Sequence, residues 1–179
     1  GAREPLDPAK LEALITSACA NLGEDVIPAR IMEATLRDLY DGVPLEEVHK
    51  CAILAARMLI EQDPDYTYVT ARLLLHTIRR EVLGEEVSQA EMSTRYGEYF
   101  PTFIHQGVKA QLLDERLASF DLKRLGAALK PERDLQFNYL GLQTLYDRYF
   151  LHINDHRIEL PQAFFMRVAM GLALNEIDR

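Results

Sequence analysis

His152 and His156 stand four residues apart, the spacing that on a helix would set two imidazoles on one face as metal ligands. The residues between them, Ile153-Asn154-Asp155, read instead as a turn. A metal site there would also need a third ligand such as Asp155, and an exposed ribbon is the simpler reading. Glu46-Glu47 and Glu85-Glu86 are carboxylate pairs, but neighbouring residues diverge on a helix, so they read as solvated faces rather than acid/base dyads. His49 and His105 lie on amphipathic patterns and read as boundary residues with one nitrogen satisfied. Cys19 and Cys51 are the two cysteines. They lack Cys-x-x-Cys spacing, sit beside alanines in helical patterns, and suit a small buried hydrophobe in a reducing cytosol. Phosphate-loop glycines, a nucleophile elbow, a His-Glu-x-x-His pair and a calcium loop are all missing, so no catalytic or metal residue is assigned.

The charged residues least easily explained as surface are Arg148 and Arg167. Both fall inside dense apolar stretches, where an unpaired guanidinium is costly, and Asp147 and Glu159 are the nearest acids to hold them in a structural clamp.

The elements that position these residues are helices. Asp7-Pro8 starts the first, which Gly23 closes; Pro28 opens a second, ended by Asp41-Gly42; Pro44 opens a third with small residues along one face. Asp63-Pro64-Asp65 breaks the chain before a fourth helix over 66–83, stopped at Gly84. Ser88 and Glu91 have capping-box spacing for a fifth, with Tyr96, Tyr99, Phe100 and Phe103 as core and Pro101 as an interruption. The stretch 106–130 reads as short helices separated by Gly107 and Gly126, with Asp121 capping 122–129. Residues 150–160 alternate about Asn154-Asp155-His156 as a small hairpin, and a last helix opened by Pro161 turns Phe164, Phe165, Val168, Ala169 and Leu172 inward. The fold class is all-α, an irregular multi-helix bundle with one small β-hairpin near 150–160.

Composition narrows function by exclusion. The 179 residues suffice for a working core, and the formal net charge is -8 with scattered Lys and Arg, which excludes a nucleic-acid partner. No run of about twenty apolar residues is present to cross a membrane, and no charged leader precedes an apolar stretch. The expected location is cytoplasmic.

The phrase FNYLGLQTLYDRYF followed by ELPQAFFMRVAMGLAL resembles the N-terminal helical region of the large (alpha) subunit of class I ribonucleotide reductase, most strongly over 135–176. Upstream, LYDGVPLEEVHK and DPDYTYVTARLLLHTIRR resemble the helical part of an ATP-cone. The resemblance divides the chain into a cone-like segment over 1–86 and an all-α domain over 87–179. It places His49 where a cone often carries a nucleotide-contacting His, and Arg80 near a basic position of the last cone helix. Leu45 stands where Thr is common, and His76 replaces an apolar or aromatic residue. The basic, glycine-containing strand that opens a cone is missing, with residues 3–6 as the tail of its hairpin, which implies a degenerate or truncated cone kept as packing.

The implied parent reduces ribonucleotides to deoxyribonucleotides for DNA synthesis, as a thioredoxin- or glutaredoxin-dependent oxidoreductase. ATP and dATP are its effectors, and its radical comes from a metal-containing small (beta) subunit. This piece would be structural or regulatory, without cofactor or catalytic cysteines of its own, and would pack on the catalytic barrel of the same chain. The small subunit and a homo-oligomer are its further implied partners. The excess of aromatic and apolar residues over 137–174 implies an interface, and with it weak self-association or reduced stability of the isolated piece. The contrasting expectation is an independent all-helical interaction or regulatory module.

Overall fold

A computed structural model of the chain describes residues 5–176. The architecture is helical, with eight α-helices among the described residues: α1 (Pro8–Cys19), α2 (Pro28–Arg37), α3 (Leu45–Met58), α4 (Tyr66–Leu83), α5 (Met92–Lys109), α6 (Leu122–Ala128), α7 (Tyr139–Arg148) and α8 (Pro161–Leu172). Short 3-10 turns cover Leu59–Glu61, Glu115–Ser119 and Pro131–Gln136. The all-α expectation with a hairpin holds. Residues 3 and 4 of the expected cone hairpin lie outside the described residues, and Pro5 and Leu6 are not in a strand.

The chain forms two compact units, Gly1–Thr77 with Phe137–Gln143, and Ile78–Gln136 with Thr144–Arg179. The division falls within α4 and again within α7.

In the first unit, α1, α2 and α3 pack in succession around Leu11, Ile15, Ile31, Val48, Ala52, Ala56 and Val69, all buried. Asp7 caps α1 by accepting from the backbone N–H of Ala9 at 3.0 Å, and Pro8 follows at the first helical position. No side chain caps α2; instead the Tyr66 hydroxyl, on a buried ring of α4, accepts from the Ile27 N–H at 2.9 Å and donates to the Asp25 carbonyl. Gly23 does not close α1, which ends at Cys19; Asn21 takes the left-handed conformation, and Arg72 of α4 donates to the carbonyls of Ala18 and Ala20 at 3.0 and 2.8 Å.

In the second unit, α5 crosses α6 closely. Pro101 lies inside α5 without ending it, contrary to expectation. Proline at 101 leaves the Gly97 carbonyl without its helical donor. That carbonyl faces α6 at Gly126, where an added Cβ would sit 3.2 Å from it. The Ser88–Glu91 box is also altered: Glu91 accepts from the Ser88 N–H at 2.8 Å, yet the helix begins at Met92, after a turn. Phe100, Phe103, Ile104 and Tyr96 fill the core. His152–Ile153 and His156–Arg157 form the two-stranded ladder, joined by Asn154 and Asp155, both with positive φ as a type I′ turn requires.

Candidate functional site

Within the second unit the strongest convergence of polar groups surrounds Asp134. Its buried carboxylate accepts from Arg79 Nη2 at 3.0 Å, the Tyr96 hydroxyl at 2.7 Å and Gln162 Nε2 at 2.8 Å, tying α4, the 131–136 turn, α5 and α8 together. A second cluster is built on Glu159, fully buried, whose oxygens accept from Arg167 Nε at 2.5 Å, Arg167 Nη2 at 2.9 Å and the Leu151 N–H. Burial raises the pKa of both carboxyls, and the facing arginine opposes the rise in each case. Tyr99 joins the same region, donating to the Ile158 carbonyl and accepting from the Leu160 N–H, which pins the segment leading into α8. Burial holds both Tyr96 and Tyr99 well above the ordinary phenol range. Buried carboxylates held by arginines in this way brace the helices that carry them.

The residues singled out from sequence separate accordingly. Arg167 and Glu159 come together. Arg148 and Asp147 do not share their setting: both lie on the exposed face of α7, so the burial that motivated a clamp at Arg148 is absent. The error comes from reading a dense apolar stretch as uniformly buried. His152 and His156 are exposed on the hairpin, as their turn reading requires. His49 is buried in the first unit, its ring edge-on to His76 at 5.1 Å. Arg80, in the second unit, is half-buried on α4. Cys19 is buried, and burial pushes its thiol up to about 11, only partly offset by Arg72.

Asp134 and Arg79 were missed. Arg79 carried a signal, since it follows the apolar run Leu73-Leu74-Leu75 and Ile78; nothing local marks Asp134 as its partner.

A third group holds the hairpin. Glu81 accepts from the Tyr146 hydroxyl and from the Arg157 N–H, each at 2.7 Å, while the Arg157 guanidinium lies over the Tyr146 ring at 4.3 Å. In the first unit, a cleft of about 200 Å³ opens between α1 and α2, floored by Ile15, Pro28, Ala29, Met32 and Leu36 and rimmed by Glu12 and Glu33. None of its lining residues is basic, so it repels a polyphosphate.

The surface of α8 completes the picture. Its buried side is Pro161, Gln162, Ala163 and Met170. Phe165, Val168, Ala169 and Leu172 point outward, a correction to the expected inner face; Leu172 is 82% exposed. Their i, i+3, i+4, i+7 spacing makes one continuous apolar stripe. Tyr149, also exposed, packs against Phe164 beside it.

The helix–hairpin–helix segment at 139–172 and the helices that precede it match known families in the same order. Residues 1–81 match the ATP cone domain, and residues 135–179 match the ribonucleotide reductase all-alpha domain. The chain belongs to the ribonucleotide reductase large-subunit family. It is 41% identical over 170 residues to the ribonucleoside-diphosphate reductase subunit alpha of Chlamydia trachomatis, covering 95% of this chain and 16% of that protein. With the alpha subunit of Helicobacter pylori it shares 38% identity over 178 residues, covering 98% of this chain and 21% of the relative. The large subunit of Danio rerio is 29% identical over 171 residues, 94% of this chain and 21% of that protein. The chain thus spans about a fifth or less of the length of these relatives. No helix among the described residues is long and apolar enough to cross a membrane.

Proposed function

We propose that this chain is the N-terminal regulatory and helical region of a ribonucleoside-diphosphate reductase alpha subunit, non-catalytic by itself, in which α7, the hairpin and α8 form a shoulder for the catalytic barrel of the same subunit. The observation that carries the reading is the outward stripe of α8: an apolar helix face of this extent is costly in water and marks a surface meant to be covered. The buried pairs Arg79–Asp134 and Arg167–Glu159 then serve as braces that hold α8 at a fixed angle. The parent would reduce ribonucleotides for DNA synthesis, using electrons from thioredoxin or glutaredoxin and a radical delivered from a metal-containing small subunit. Sequencing the gene around this stretch tests it. In-frame codons for a cysteine-bearing barrel support the reading, and a stop directly after Arg179 discards it in favour of an independent helical module.

A second reading, nucleotide sensing by the cone-like segment, is favoured by the ATP cone match over residues 1–81. His49 and Arg80 are its candidate contacts. Calorimetry with ATP and dATP at millimolar concentration decides: heat that disappears in His49→Ala and in Arg80→Ala supports effector binding, whereas no heat leaves the cone-like helices as packing alone.

A further inference from the structure

Two imidazoles meet inside the first unit. His49, on the second turn of α3, is 7% exposed, and His76 lies half-buried on α4. Their rings stand edge-on, with centroids 5.1 Å apart and planes at 89°, and a ring nitrogen of each lies within 4.8 Å of the other. Two nitrogens bound to one zinc ion at about 2.1 Å in tetrahedral geometry are roughly 3.4 Å apart, so rotation of the side chains covers the difference. The donor set is selective. Neutral imidazole favours zinc, nickel and copper ions, whereas magnesium and calcium prefer oxygen donors. His76 also stands where the cone-like pattern carries an apolar or aromatic residue, so the pair belongs to this chain rather than to that pattern.

We propose that His49 and His76 hold one divalent transition-metal ion of the zinc class, with water in the remaining positions, and that the ion fastens α3 to α4. Structural zinc sites are closed by four protein ligands, so a site of two imidazoles and exchangeable water is reversible, and it stabilises the fold in proportion to the free metal. A bound ion adds two positive charges to a chain of net charge -8, whose field favours its capture. Metal binding at this pair requires neither nucleotide at the cone-like segment nor the docking role of α8.

Calorimetry and thermal melts of the full chain, stripped of metal with a chelator and titrated with zinc chloride in the absence of nucleotide, test it. The expected result is a saturable heat and a thermal midpoint that rises with zinc concentration, while magnesium chloride at the same concentrations leaves the midpoint in place. His76→Phe, which installs a residue class of the cone-like pattern, and His49→Ala each weaken zinc binding by at least about tenfold, with the folding of both checked by circular dichroism. The exposed hairpin pair is the rival metal binder, and His152→Ala combined with His156→Ala leaves the affinity unchanged. No heat and no rise in midpoint with zinc, equal affinity in a folded His76→Phe chain, an equal response to magnesium, or loss of zinc binding in the hairpin double variant would each overturn the proposal.

Discussion

At the end of α1 the closing carbonyls are received by a side chain from far along the chain, since Arg72 donates to both Ala18 and Ala20. Arg72→Met keeps most of the aliphatic stem and removes both charge-assisted bonds. The expected loss is about 1.5–3 kcal/mol, the usual range for hydrogen bonds to a charged group, read as a lower urea midpoint with an unchanged slope. A midpoint equal to wild type would show that water replaces the guanidinium without cost. Cys19 lies beside this contact and gives the residue scale its pH signature. Its thiol titrates near 11 in the folded chain and at its ordinary value of 9.0 when unfolded, so the folded state keeps a proton that the unfolded state releases. Stability is therefore complete below pH 9 and falls as pH rises from 9 to 11. Tyr146, pushed up to about 12, extends the decline upward from its ordinary 10.0. Denaturant titrations at pH 8, 9, 10 and 11 should show the fall in wild type and a shallower one in Cys19→Ala; parallel profiles would remove Cys19 as its source.

Asp134 is the third residue with a measurable role. Removing its carboxylate strands Arg79 in the interior with its charge uncompensated, and breaking one side of such a buried pair costs about 3–5 kcal/mol. Asp134→Ala should lower the thermal midpoint far more than Asp155→Ala on the exposed hairpin turn. Equal midpoints for the two would mean that the buried pair contributes nothing beyond its packing.

Between elements, the α5–α6 crossing shows what local sequence can and cannot convey. Both helices follow from periodicity, and Asp121 caps α6 as its position implies, accepting from the Arg124 N–H at 3.0 Å. Pro101 and Gly126 look locally like breaks, yet they are the two halves of one contact: the carbonyl that Pro101 leaves without a helical donor lies where Gly126 has no Cβ. Only the tertiary pairing reveals this. Gly126→Ala forces backbone atoms apart and should cost about 1–3 kcal/mol as an overpacked site. Gly97→Ala meets open space in a helix interior and should be neutral or stabilising by up to about 1 kcal/mol. Thermal melts of the two variants check the contrast, which fails if both shift in the same direction by the same amount. The orientation of α8 was illegible for a related reason. It is apolar nearly all round, so periodicity announces a helix without choosing which side faces the core, and buried Gln162 and half-buried Arg167 make the inner side more polar than the outer.

For the molecule as a whole, family membership was legible in the order and spacing of the 135–176 phrase, which the matches to relatives repeat. The braces were harder to see, because Arg79 and Asp134 are fifty-five positions apart and only the folded chain joins them. The α8 stripe yields a prediction at this scale. If it exists to be covered by more protein, substituting it should affect surface behaviour and spare the fold of the isolated chain. Val168→Glu and Leu172→Glu replace exposed side chains with charges that remain hydrated, so stability should change by no more than about 0.5 kcal/mol. At the same time, fluorescence of a dye that binds apolar surface should fall clearly in the double variant. A control substitution at buried Met170, on the opposite side of the same helix, should do the reverse, lowering the thermal midpoint and raising dye binding as the core loosens. A strong loss of stability in the glutamate variants would mean that these side chains are packed within the chain, and the docking role assigned to α8 would then have to be abandoned.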